Sequence, residues 1–181
     1  MNKLLLPLAA SVCLVSSCEK ATPESYFSQA VLNCNLMHGF AGNGMERQLN
    51  EPSVKLADSG GNKMVTMTRK ETVDNLIRSV EEAYGKIKKL QETDDTREML
   101  QASRAVFDYV LPVYHNEYQQ LASLHDEGMG KTRIEELQKS IQAKYQAGFQ
   151  SRIEALTTIA KPYADRHGIK VQWDVRTSPT S

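Results

Sequence analysis

From Thr68 onward the apolar residues recur three and four positions apart, a spacing that only a helix gathers onto one face. One stripe runs through Val73, Leu76, Ile77, Val80, Tyr84, Ile87 and Leu90. A second runs through Leu100, Ser103, Phe107, Val110, Tyr114, Glu117, Leu121 and Leu124. The last runs through Leu137, Ile141, Tyr145, Phe149, Ile153, Leu156, Ala160 and Tyr163. Each stripe is preceded by a start signal. Thr68-Arg69-Lys70-Glu71 reads as a capping box, Thr132-Arg133-Ile134-Glu135 as another, and Asp95-Thr96-Arg97-Glu98 as the same device with an acid for the hydroxyl. Gly128 and the pair His167-Gly168 supply stops, the latter combining a cation for the helix dipole with a glycine for the left-handed cap.

Connections of about four residues between these helices make them antiparallel neighbours. The second and third are each roughly 50 Å long at about 1.5 Å per residue, and Pro112 and Pro162 should bend them. A shorter helix precedes them. Thr22-Pro23-Glu24 is a start, Phe27, Val31, Cys34 and Met37 form its face to His38, and Gly39 ends it. Residues 40–67 hold Gly42, Gly44, Gly60 and Gly61 and read as a long connection. Within it, Val54-Lys55-Leu56 and Met64 to Met67 predict a small hairpin about the turn at 58–62. After the last helix Ile169, Val171, Trp173 and Val175 alternate with polar residues, an extended tail with one apolar face. Burying Trp173, the only tryptophan, contributes on the order of 2–3 kcal/mol. The tail is therefore predicted to fold back onto the bundle, with the stretch near Met64 to Met67 as its neighbour. The fold class is mainly α: an antiparallel bundle of three long helices and a short N-terminal one, spanning 23–175. Residues 176–181 follow as a disordered tail.

The first residues carry an address. Lys3 supplies a positive charge, and Leu4 to Val15 is a twelve-residue run interrupted only by Ser11. As a helix it spans roughly 18 Å, short of the ~30 Å hydrocarbon core, so 1–17 reads as a signal peptide and not a membrane span. Val15-Ser16-Ser17-Cys18 resembles the lipobox of bacterial lipoproteins. That resemblance implies a diacylglyceryl group on the Cys18 thiol, cleavage before Cys18 and acylation of the new amino terminus. Residues 18–22 then form a short lipidated tether. Several acyl chains give stable anchoring in a lipid bilayer, at about 0.8 kcal/mol per buried methylene. Glu19 stands where lipoproteins kept in the inner membrane carry aspartate, which favours the outer membrane, on its periplasmic face or at the surface. A plain secretory signal is the alternative. In either case Cys34, in line with Phe27, Val31 and Met37, reads as a buried small hydrophobe.

Lys plus Arg and Asp plus Glu are 22 each, a balance that argues against nucleic acid as a partner. Gly128-Met129-Gly130-Lys131-Thr132 looks like the end of a phosphate-binding loop, but His125 stands where the first glycine belongs and a helix precedes it. None of His38, His115, His125 and His167 has a glutamate three residues before it, so no di-iron pair exists, and no two histidines are four apart. Neither a zinc, covalent-haem nor serine-hydrolase motif is present. The expectation is a protein that is not an enzyme and has no metal or cofactor beyond the lipid on Cys18. Lys86, Lys88 and Lys89 form a basic patch, read as a solvated face.

Glu117 is the anomaly, an acid in an inward slot between Tyr114 and Leu121, near Tyr118. It either lies at the stripe's edge, bonding a tyrosine hydroxyl or an arginine of the next helix, or it lines a ligand cleft. Glu117, Tyr114, Tyr118 and Trp173 are the candidate cleft or partner contacts, and His115 should be exposed.

Taken with the caps and the tail, Tyr109 to Tyr114, Glu117-Tyr118, the Gly128 turn and Tyr163-Ala164 to Val171 carry a second resemblance. Residues 68–175 look like a family of uncharacterised bacterial surface lipoproteins built as long four-helix bundles, which implies fold and location and no active site. Two function classes follow. One is a non-enzymatic interaction or structural module with an envelope protein as partner. The other is a small-ligand or haem-binding protein using a cleft between the first helix and the tail.

Overall fold

The computed structural model describes residues 21–51, 53–57 and 63–173. Cys18 with the leader before it, most of the 18–22 tether, the turn at 58–62, Val175 and the 176–181 tail lie outside the described residues. The protein is mainly helical, with one two-stranded antiparallel ribbon among the described residues.

The first helix begins as expected. The Thr22 hydroxyl accepts the Ser25 N–H at 3.2 Å with Pro23 in the first turn, and α1 runs Pro23–Ala30. It does not continue to His38. A 3₁₀ segment, Leu32–Met37, replaces the rest of the expected helix. An α-helix would need the Ala30 carbonyl for the Cys34 N–H. The buried Ser103 hydroxyl donates to that carbonyl at 2.6 Å instead, and the Cys34 N–H turns to the Val31 carbonyl at 3.1 Å.

The connection at 40–67 holds more structure than its glycines suggest. A further helix, α2, spans Asn43–Asn50 and buries Met45 and Leu49. Two apolar residues in a polar octapeptide are too few to register as a stripe. The hairpin forms as read, β1 being Val54–Leu56 and β2 Met64–Thr66, paired Val54 to Thr66, Lys55 to Val65 and Leu56 to Met64.

Helix α3, Arg69–Lys89, carries the expected capping box: Thr68 Oγ1 accepts the Glu71 N–H at 3.1 Å and Glu71 accepts the Thr68 N–H at 3.0 Å. Asp126 supplies two more acceptors from across the bundle, to the N–H groups of Arg69 at 2.8 Å and Lys70 at 3.0 Å. The other two predicted boxes do not form. Before α4, Arg97–Val113, the Thr96 hydroxyl accepts the Thr93 N–H at 3.0 Å. Asp95 is drawn to the far end of the last helix, to His167 and Arg166 at 2.6 Å each, and those bonds hold its carboxyl below the usual range. Helix α6, Lys131–Arg166, starts two residues earlier than Thr132 could cap, with Gly130 at its N-cap.

The expected long second helix is two helices joined by a π turn. Helix α4 ends at Val113, Tyr114–Tyr118 form the π turn, and α5 covers Gln119–Asp126. Pro112 has no N–H for the Asp108 carbonyl. Its own carbonyl accepts the Asn116 side-chain amide at 2.7 Å. The extra residue in the π turn moves the inward position from Glu117 to Tyr118. Both helix stops work. The Met129 N–H reaches the Leu124 carbonyl at 3.0 Å and the Ile169 N–H the Ala164 carbonyl at 2.9 Å. These bonds close Schellman turns over Gly128 and Gly168, at φ +66° and +65°. The glycine-rich segment at 128–132 is thus a helix–helix turn.

Helix α4 is the centre of the bundle, packed between α3 and α6, while α5 lies on α3 and α6. Helix α1 and the 3₁₀ segment cover α3 and α4. The core joins Phe27, Met37, Leu49, Ile87, Phe107, Leu121, Leu156 and Tyr163, all fully buried. On α6 only Ile141, Leu156, Ala160 and Tyr163 of the predicted stripe are buried, the others being half-exposed along its flank. Among the described residues no helix is long and apolar enough to cross a membrane.

Candidate functional site

Between the 3₁₀ segment and α2 the chain crosses the bundle at residues 38–42. A Cβ on Gly39 would lie 2.8 Å from the Gly44 Cα, so two glycines allow the approach, and Gly39 has φ +86°. Phe40 is pressed into a box of rings, with centroids 4.9 Å from Phe149, 5.4 Å from Tyr114, 6.0 Å from Tyr118 and 6.3 Å from Tyr109. Ala41 takes φ +50°. That left-handed conformation costs an alanine about 1–3 kcal/mol. Its N–H donates to the buried Tyr118 hydroxyl at 2.9 Å, which pins the crossing to the π turn. Burial pushes the Tyr118 phenol up to about 12, although the Ala41 bond acts the other way.

A cleft opens on each side of this crossing. The polar one has a volume of about 280 Å³ and lies between α2 and α6, above Tyr118. Leu121 and Ile141 form its apolar floor, and Asn43, Glu46, Glu135, Gln138, Lys139 and Gln142 its walls. The other cleft, about 370 Å³, lies between the 3₁₀ segment, α6 and the tail. Its walls are mostly apolar, with Val31, Phe149, Ile153, Leu156, Val171 and Trp173 joined by Asn35 and His38.

Trp173 folds back, as its alternation with polar neighbours required. Its ring meets Phe27 of α1 edge-on at 5.9 Å, and the Lys161 ammonium lies 5.7 Å from its centre. Ile169, Val171 and Trp173 are half-buried while Lys170 and Gln172 are exposed. The tail sits by α1 and α6 and forms no ladder with Met64 to Thr66, whose strand pairs only with β1 among the described residues.

The four candidate residues do not form one site. Tyr118 lines the polar cleft and Trp173 the apolar one, while Tyr114 packs behind Phe40 at 1% exposure. Glu117 lines neither cleft. The π turn leaves it at the edge, 24% exposed, where its carboxylate accepts from the Tyr145 hydroxyl and from Lys144 Nζ at 3.5 Å. Of the two readings of Glu117, the structure adopts the bond to a tyrosine hydroxyl. His115 is exposed beside Glu81, at 2.9 Å, and Lys86, Lys88 and Lys89 lie along the outer side of α3. Cys34 is buried, and burial pushes its thiol up to about 12, so at neutral pH it is an inert small hydrophobe. Among the described residues no group of three His, Cys, Asp or Glu side chains is placed to hold a metal ion.

Sequence reasoning missed Phe40, Asn43, Glu46 and Gln138. They occupy two segments far apart in the chain, one of them in a connection without periodicity, and no local pattern links them. No family model matches the chain, and no curated protein or solved structure does.

Proposed function

We propose that the protein is a bacterial envelope lipoprotein, anchored through acyl chains on Cys18 at the outer membrane, and that it serves as a non-enzymatic interaction module. The anchoring rests on Val15-Ser16-Ser17-Cys18. The first helix then caps at Thr22, four residues beyond Cys18, a tether short enough to hold the bundle close to the bilayer. The interaction role rests on one observation, the face that the hairpin turns outward. Val54, Leu56 and Met64 share that face at 57%, 56% and 53% exposure, while Lys55 on the other face pairs with Glu71 of α3. A two-stranded ribbon ordinarily buries its apolar side, because alone it is marginal in water. An exposed apolar patch of this kind suits a protein partner.

The hairpin stands at the start of α3. The tether end of α1 meets the opposite end of the bundle, where the Tyr26 hydroxyl donates to the Gln91 carbonyl at 2.7 Å and the Tyr163 hydroxyl to the Pro23 carbonyl at 3.4 Å. The 21 residues of α3 separate the two ends by roughly 30 Å. An anchored protein would hold the apolar face away from the bilayer, within reach of an envelope protein.

Crosslinking in membranes tests both parts. Cys18→Ser should release the protein from the membrane, and mass spectrometry should find an acylated Cys18 at the mature terminus. Leu56→Ser with Met64→Ser should abolish the principal crosslinked product at an unchanged melting temperature. A wild-type protein that is soluble without lipid ends the anchoring reading, and a crosslink pattern untouched by the double variant ends the interaction reading.

The apolar cleft beneath Trp173 supports a second reading, a small-ligand or haem-binding protein, with His38 in its wall as the one imidazole among the described residues there. An absorbance spectrum of the purified protein decides for or against haem through the presence of a Soret band.

A further inference from the structure

The polar cleft contains donors that the fold leaves unused. Tyr118 is 3% exposed, and its oxygen already accepts the Ala41 N–H, yet its own hydrogen finds no acceptor among the described residues. Gln138 lines the same cleft, and its side-chain Nε2 is buried just behind that lining with no hydrogen-bond partner among them. Buried donors without partners are costly, and two of them lining one cavity mark a place for an acceptor from outside. The charged groups lie around them. Lys139 adds a cation to the same wall as Gln138, one residue along α6. Glu46 contributes from α2 with no ion-pair partner among the described residues, and Glu135 from α6, held only by the exposed Lys131 at 3.4 Å.

Unused donors beside a lysine call for a carboxylate. A carboxylate on the facing wall, Glu46, and a second on α6 itself, Glu135, call for an ammonium. The size narrows the choice further. A volume of about 280 Å³ sits at the small end of ligand pockets, which run to roughly 300–1,000 Å³. Leu121 and Ile141 offer a small apolar surface for a few methylene groups.

We propose that the cleft between α2 and α6 binds a free α-amino acid, its carboxylate received by Tyr118, Gln138 and Lys139 and its ammonium by Glu46 and Glu135. The site is independent of the lipid anchor and of the hairpin face, so it stands or falls separately from the function proposed above. Nothing reacts in it; the ligand is held as the zwitterion.

Isothermal titration of the full chain against the common free amino acids, one at a time, tests the assignment. At least one should bind with a Kd below about 1 mM, and its N-acetyl derivative and methyl ester should each bind at least ~10-fold more weakly. Glu46→Gln and Gln138→Leu should each weaken the same amino acid by about 10-fold or more. Glu46 is exposed, so its variant should melt at the wild-type temperature and keep the test clear of folding defects. Phosphoethanolamine, which carries the ammonium and anion of a lipid headgroup, should bind more weakly than the best amino acid. The proposal is overturned by no binding of any free amino acid, by binding that survives N-acetylation, by binding that both variants leave intact, or by a preference for phosphoethanolamine.

Discussion

The N–H of Ala41 donates to the hydroxyl of Tyr118 over 2.9 Å, tying together residues 77 positions apart. The bond holds an alanine in left-handed backbone against the floor of the polar cleft. Tyr118→Phe leaves that N–H buried without a partner and should destabilise the protein by about 1–3 kcal/mol. Ala41→Gly removes about 1 kcal/mol or more of backbone strain and loses roughly 0.8 kcal/mol of methyl burial, so it should lie near wild type. Urea denaturation of both variants measures the difference. A Tyr118→Phe protein as stable as wild type would show that the crossing is held by Phe40 alone.

Gly148 on α6 is covered by Tyr109, whose Oη would clash with a Cβ placed there and whose Cζ would lie 2.8 Å from it. The ring cannot tilt away freely, since the Arg152 guanidinium lies 4.0 Å above it and its hydroxyl donates to the Tyr145 carbonyl at 3.2 Å. Gly148→Ala therefore sets a helix gain of about 1 kcal/mol against an overpacking cost of about 1–3 kcal/mol. It should be neutral or destabilising in the wild-type chain. In a Tyr109→Ala background the same substitution should stabilise by about 1 kcal/mol, a coupling that a double-mutant cycle reads directly. Equal effects in both backgrounds would contradict the contact.

Burial, and after it the positive charge of Arg69, holds the His125 imidazole below its usual value, against an opposite pull from Asp126. The unfolded chain takes up that proton near about pH 6.5, while the folded one resists it. Stability is therefore complete above about pH 6.5 and declines as the pH falls toward the lower native value. Denaturation curves between about pH 7.5 and 5 should show this decline in wild type and a flatter profile in His125→Gln. Identical profiles would remove His125 from the account.

Trp173 lies edge-on to Phe27 and under Lys161, half-buried in the wall of the apolar cleft. Its emission should be blue-shifted from that of free tryptophan and partly protected from iodide. Phe27→Ala should shift it to the red and raise quenching, because the ring loses its only aromatic support among the described residues. A spectrum insensitive to Phe27→Ala would mean that the tail is placed by other contacts.

Where a local pattern carried the information, the structure follows it closely. Thr22 and Thr68 cap the helices they precede, Gly128 and Gly168 close the ones they follow, and the Val54–Leu56 and Met64–Thr66 strands pair. The misses have tertiary causes. Asp95 matched a cap as well as Thr68 did, but Arg166 and His167, each at 2.6 Å, take its two carboxylate oxygens. The helix expected to reach His38 gives way to a 3₁₀ segment where Ser103, 73 residues on, and the Cys34 thiol both donate to the Ala30 carbonyl. Of the candidate site only Tyr118 and Trp173 were legible, as aromatics in unusual places. Asn43, Glu46 and Gln138 are ordinary polar residues until α2 is laid against α6.

By itself, then, the amino-acid sequence determined that this chain is an antiparallel helical bundle, where its helices α3 and α6 run, and that the tail must find apolar cover. Those properties depend on interactions between residues three or four apart, or on burial as such, and both are written in local order. Only the tertiary structure decided the π turn after Pro112, the placing of Tyr118 and not Glu117 on the inner face, and the two clefts beside residues 38–42. The reason is competition. Each of those features depends on one donor or one ring meeting a partner dozens of residues away, and a distant partner that binds a carbonyl or fills a cavity outweighs any local preference of comparable size.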